Sequence, residues 1–283
     1  LIDSYNSAVA PYNALFPGSN ALFQTNDNDS GALTIDSLFA SYHGTFIGGP
    51  HSLLGSLLSL ILGLLSPPPR VAVADEAYIP GTVIAPNTLG LTAMGSLSLS
   101  GAASTSPGQY DTVSVSSRGQ MRVQSGIYRI TGQSSFAGSI VVPSNAATVL
   151  ILEGQTQLNG PITLGTGATL DIYIGADTSI QNAIINSSGL NSSLRILGLS
   201  SNTELTISGG AQIHGAIYAP GAAIKIANTS AVYGAIVGNT IELDDSAQIH
   251  FDEALKTLQL HNVTSGSAPQ GTADYIITRL GTL

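Results

Sequence analysis

The chain is 283 residues long, carries a net charge of −9 at neutral pH, has no cysteine and is only 9% charged, where an ordinary soluble domain has roughly 25%. The acidic balance excludes nucleic acid, which calls for basic stripes, and docking on anionic lipid; the missing thiols exclude disulfide frameworks and zinc–thiolate sites. With mean hydropathy at +0.29, solubility must rest on Ser, Thr, Asn and Gln.

The chain starts at Leu1, so we read it as a processed or trimmed product whose signal or membrane segment would lie upstream. Residues 1–50 are rich in turn signals, Asn26–Gly31 and Gly48-Gly49-Pro50, around two short strands at Ala32–Ile35 and Gly44–Ile47. Leu53–Leu65 is an uncharged apolar run ended by Pro67-Pro68-Pro69. It is shorter than the ~20 residues that a bilayer core requires, so no direct membrane insertion is expected. Two readings stay open for it. It is a helix or strand capping one end of the fold, or an apolar arm that docks into a neighbouring copy through Leu53, Leu57, Leu60 and Leu64. Residues 71–108 read as strand and loop.

From Tyr110 to Ile249 a repeat takes over. TVLILEG (Thr148–Gly154), TLDIYIG (Thr169–Gly175), SLRILGL (Ser193–Leu199), GAIYAPG (Gly215–Gly221) and GAIVGN (Gly234–Asn239) align under one another. Anchored on Gly154, Gly175, Gly198, Ala219 and Gly238, the steps are 21, 23, 21 and 19 residues. Apolar–polar alternation over so few residues means strand, and a unit this small must stack on its neighbours to bury its apolar face. The fold class is therefore all-β: a parallel β-helix, or β-solenoid, right-handed because parallel crossovers favour that hand. We divide the chain into an irregular N-terminal part (1–109), β-helix coils (110–254) and a C-terminal cap (255–283), with Leu255–Leu260 a short helix or strand and Tyr275–Thr278 a last strand. The five anchors should form one column, and Ile151, Ile172, Ile196, Ile217 and Ile236 one inward ladder. Gly160, Gly165, Gly167, Gly209 and Gly210 should sit at corners with φ > 0.

Charge normally guards open β-edges, so a coat this neutral suits either a plain solenoid or a subunit that packs on its own copies. The expected partner is a second copy or other subunits of a surface filament.

Chemistry-bearing motifs are sparse. No nucleophile elbow, P-loop, dinucleotide fingerprint or zinc-protease motif occurs, and neither cofactor nor metal is expected. The densest acids, Asp244-Asp245 and Asp252-Glu253, supply the enzymatic alternative, because several β-helix enzymes cut polysaccharides with paired carboxylates. Few aromatic or basic groups surround them, so a turn and a cap are the plainer reading. His214, Tyr233 and His250 fall at equivalent points of three coils. The two histidines should lie roughly 10 Å apart, too far for a shared metal, with the tyrosine stacked between them. Asn26–Gly31 looks like the start of a calcium loop, but Ser37 stands where its closing carboxylate belongs, which leaves a plain turn.

The run GGAQIHGAIYAP (Gly209–Pro220), VYGAIV (Val232–Val237) and AQIHFDEAL (Ala247–Leu255) resembles a family of bacterial surface proteins linked to type IV pilus assembly, in which the last piece tends to read IHYDEAL. Asp3–Ser7 and Pro107–Tyr110 are similar too. The resemblance implies an exported, non-catalytic β-helix protein at the cell surface, with a structural or adhesive role, and carries over no catalytic residue. A weaker resemblance, through Leu164–Leu170, is to ice-binding solenoids, whose flat Thr arrays Thr148, Thr169 and Ser193 would imitate over a short stretch.

Overall fold

The computed structural model describes residues 2–10, 12–13, 21–24, 33–35, 44–48, 70–73, 82–186 and 190–258. From Ala93 onward, upstream of Tyr110, short strands bend at corners and each pairs in parallel with its equivalent one coil on. The coils stack as a β-solenoid of about 7 turns, and among the described residues helix is confined to two 3₁₀ turns, Asn191–Ser193 and Glu253–Thr257.

Three ladders run along the axis and define three faces. Face A contains Gly126–Ile130, Ala147–Leu152, Thr169–Ile174 and Leu194–Gly198, then the middle of the long strands Gln212–Ile226 and Ala231–Leu243. Face B contains Ser134–Phe136, Thr156–Leu158, Thr178–Gln181 and Glu204–Ser208, then the ends of the same long strands. Face C contains Gln120–Arg122, Ser139–Val142, Ile162–Leu164 and Ile184–Ile185, then the long strands' beginnings and Gln248–Asp252. The first coil consists of Ala93–Leu99 and Ala102–Ser104.

Because side chains alternate sides along a strand, every second residue points into the prism. On face A the inward column is Tyr128, Leu150, Ile172, Ile196, Ile217 and Ile236, paired rung by rung. Burying each Leu or Ile contributes about 1.5–3 kcal/mol. The expected ladder holds for four of its members; Ile151 is displaced by one residue and points outward, opposite Tyr173. It is buried nonetheless, because Val83 lies over the outer side of face A and clusters with Ile151, Tyr173, Leu197 and Tyr218. Apolar cover on both sides explains why the later parts of these strands read as apolar runs, Leu150-Ile151-Leu152, Ile172-Tyr173-Ile174 and Ile196-Leu197, while Asp171 and Arg195 form an ion pair on the outer side nearer the strand starts.

The anchor column is corrected in the same way. Gly198, Ala219 and Gly238 share one column, but Ile174 and Leu152 continue it, not Gly175 and Gly154. Register follows the two-residue side-chain period, whereas the glycine that ends each run marks a corner of variable length. Corner glycines also have two separate causes. Gly167 has φ +71°, which favours glycine, while Gly160 is demanded by close stacking: a Cβ there would lie 1.9 Å from the Gly138 carbonyl oxygen.

The start of the chain lies at the far end of the stack. Ile2–Tyr5 pairs in parallel with Gln248–Asp252, Asp3 opposite His250, and so extends face C. Leu33–Ile35 pairs with the end of Ala231–Leu243, Thr34 opposite Glu242, and extends face B. Ala21–Gln24, Gly44–Gly48 and Arg70–Val73 form a separate three-stranded parallel sheet.

Candidate functional site

Face B has a regular outer surface along the described coils. Of the two inward positions on each strand, the second is apolar, as with Val115, Phe136, Leu158, Ile180 and Ile207, while the first is a buried hydroxyl on three successive rungs, Ser134, Thr156 and Thr178. The residue between each inward pair points to solvent. Rung by rung this outward column reads Ser98, Ser114, Ser135, Gln157, Ser179 and Thr206, then Lys225 and Glu242. Parallel strands place these groups about 4.8 Å apart. Six coils therefore present hydroxyl and amide groups at one spacing, without a charge in the column.

The column runs along a groove of about 620 Å³ flanked by Thr112, Gln133, Gln155, Asp177 and Glu204. Local hydrogen bonds hold its margin. Thr112 donates to Ser96 Oγ at 2.9 Å, Thr203 to Asp177 Oδ1 at 2.7 Å and Thr206 to Glu204 Oε1 at 2.8 Å. At its C-terminal end Lys225 donates to Glu242 at 2.8 Å and lies 3.5 Å from Asp244. The hydrogen bond and charge of Glu242, with Asp244 behind it, push the Lys225 ammonium above its usual value. Chemically, the face offers many weak, neutral donors and acceptors in a row. It suits a hydrated, repetitive partner better than a small charged ligand.

The second constellation is the aromatic stack on face C. His214 and Tyr233 lie ring on ring at 4.5 Å and 5°, and Tyr233 and His250 at 4.6 Å and 21°, as the coil spacing predicts. Tyr12 closes over His250 at 4.0 Å and meets Tyr233 and Tyr5 edge-on, each at 5.5 Å. Burial, then the neighbouring His250, pushes the His214 imidazole below its usual value. Tyr233 separates the two imidazoles, and among the described residues no group of three or more His, Cys, Asp or Glu could hold a metal.

The acid clusters are engaged in structure. Asp244 faces Lys225, and Asp245 sits in a turn at φ +54°. Asp252 is fully buried and accepts hydrogen bonds from Ser7, Asn191 and Ala254, capping the 3₁₀ turn that Glu253 begins. The short Thr array does not form. Thr148 points inward, opposite Leu170, and donates to the Gln124 carbonyl at 3.0 Å, while Thr169 pairs with Ala147. The one-residue slip puts Thr148 and Thr169 on opposite sides of the sheet.

Leu53, Leu57, Leu60, Leu64, the Asn26–Gly31 run and Tyr275–Thr278 lie outside the described residues. Sequence reasoning missed the face B column, whose signal was the repeated small alternations SVS, SSF, TQL, TSI and LTI. It also missed the Asp252 clamp. No helix among the described residues is long and apolar enough to cross a membrane.

A family model described as a domain of unknown function, DUF7305, matches residues 75–258, which is most of the chain. No curated protein and no solved structure matches it.

Proposed function

The chain belongs to the DUF7305 family, and from that premise we propose that it is a non-catalytic structural and adhesive protein of the cell surface, working as part of a filament or coat. The observation that carries this reading is the uncharged column from Ser98 to Thr206. A rigid prism that displays one polar pattern over many coils matches partners with a repeat of their own, such as polysaccharide or a hydrated solid surface. Each contact is weak, and their number gives the hold. The resemblance of Gly209–Leu255 to pilus-linked surface proteins supports export and placement beside pilus-like assemblies. Engagement of Asp244 and Asp252 in an ion pair and a cap supports a role without catalysis.

Labelling intact producing cells with a membrane-impermeant reagent, alongside attachment of a deletion strain to polysaccharide-coated surfaces, tests the reading. The expected result is a labelled protein and reduced attachment. A protein shielded from the reagent, or a deletion strain that attaches normally, would overturn it.

A further inference from the structure

We propose that the groove on face B holds one extended, neutral, β-linked glycan chain lying along the solenoid axis, with about one sugar to each coil. The inference rests on the adhesive reading above and names its ligand.

The groove opens between two outward columns, because each face B strand sends out two side chains with one inward residue between them. It runs from Thr112 and Ser114 to Glu204 and Thr206. The paired strands between these limits make five successive coils, a length of about 24 Å at one ladder spacing per coil. The volume of about 620 Å³ is spread along that length, so the space is a trough. A trough accepts a linear chain, whereas a flat solid surface would touch only its rims.

The lining narrows the chemistry of that chain. No lining residue carries a positive charge, and Asp177 and Glu204 place two carboxylates near one end, which repel nucleic acid and anionic polysaccharide. Lys225, on the next coil, is engaged by Glu242 and Asp244. The backbone of the floor is committed to parallel ladders on both sides, so a peptide finds no edge to extend. Val113 is the one apolar residue of the lining and is 1% exposed, so apolar side chains gain nothing there.

Hydroxyl and amide groups remain. Thr112 and Thr206, at the two ends, already donate within the protein. On the middle rungs the side chains of Gln133, Gln155 and Gln157 make no hydrogen bond among the described residues. An amide both donates and accepts, and a carboxylate accepts from neighbouring hydroxyls, which is the set a polyol satisfies. Each sugar of an extended β-linked chain advances by close to one coil step, so its hydroxyls meet the same two columns on every rung. The long glutamine side chains take up the residual mismatch.

The test is calorimetric titration of the full chain with β-1,4-linked gluco- and manno-oligosaccharides of two to eight sugars. Affinity should tighten by roughly threefold per added sugar, the worth of one net hydrogen bond, and level off at about five sugars. Gln155→Ala with Gln157→Ala, both on the exposed side of the middle rung, should weaken pentasaccharide binding by roughly tenfold with unchanged circular dichroism. β-1,4-linked oligomannuronate, the same backbone with a carboxylate on each sugar, should bind far more weakly than its neutral counterpart. No binding by any neutral oligosaccharide, or no gain beyond two sugars, would overturn the proposal. So would a double variant that binds like wild type, or equal affinity for oligomannuronate or for a Gly–Ser peptide of matching length. Any of these results leaves the adhesive reading standing where producing cells still need the protein to attach to polysaccharide. A protein that binds the pentasaccharide yet stays shielded from the surface label would remove the cell-surface reading and leave the groove assignment in place.

Discussion

Ser7 donates both its backbone N–H and its hydroxyl to the carboxylate of Asp252, at 2.9 and 2.5 Å, and so fastens the start of the chain to the last coil. The same carboxylate accepts from the Asn191 amide at 2.9 Å and the Ala254 N–H at 3.0 Å, all at a fully buried site. Hydrogen bonds to a charged group are worth about 1.5–3 kcal/mol, and a buried donor left alone costs a similar amount. Asp252→Ala should therefore lower stability by roughly 3 kcal/mol and raise amide exchange in residues 2–5. An unchanged denaturation midpoint would mean that the clamp is incidental.

Ser230 should behave in the opposite way. It is fully buried at a corner, its hydroxyl has no hydrogen-bond partner, and the equivalent corners one coil away in each direction hold Ala211 and Ala247. Removing an unsatisfied hydroxyl without changing shape recovers its desolvation cost. We expect Ser230→Ala to be as stable as the parent or more stable by about 1 kcal/mol. A clear loss in thermal denaturation would reveal an unrecognised partner.

Gly234 stacks directly on Gly215, and a Cβ at Gly234 would lie 1.8 Å from the Gly215 carbonyl oxygen. Backbone cannot retreat there without breaking the ladder beside Tyr233. Gly234→Ala should cost about 1–3 kcal/mol, the usual range for overpacking a tight interior. Calorimetry of the variant checks it, and a melting temperature equal to wild type would contradict the close approach.

The stack of His214, Tyr233 and His250 gives the fold a pH dependence of definite sign. Burial and the neighbouring His250 hold the folded-state value of His214 below its unfolded value of about 6.5. The unfolded chain then binds the proton more readily. The contribution is complete above that unfolded value and is lost as pH falls through the lower, folded one. Wild-type protein should melt at a lower temperature at pH 5 than at pH 7.5, and His214→Gln should narrow the difference. An equal acid loss in the variant would assign the effect to other groups.

The coils were legible in the sequence because apolar–polar alternation and a step near 20 residues are local signals. The stacking of His214, Tyr233 and His250 followed from the same count. Exact register was not legible. Runs such as Leu150-Ile151-Leu152 are apolar at every position, so the pattern does not distinguish Leu150 from Ile151 as the inward residue, and the glycine anchors misplaced both Ile151 and Thr148 by one. The cover over face A left no trace either, since Val83 finds Tyr173 and Tyr218 only after the coils have formed. The pairing of Asp3 with His250 spans nearly the whole chain, and no local pattern encodes it.

Attachment by face B variants tests the central claim most directly. Ser135, Gln157 and Ser179 occupy three successive rungs of the outward column. A Ser135→Glu, Gln157→Glu, Ser179→Glu variant keeps the inward core intact and sets like charges about 4.8 Å apart on the proposed contact surface. Arg122→Glu with Thr163→Glu, on the exposed side of face C, makes the control. Binding of each purified protein to immobilised neutral polysaccharide should be lost in the face B variant and retained in the control, with both folded. Equal binding by the two variants would contradict the assignment of face B as the adhesive surface.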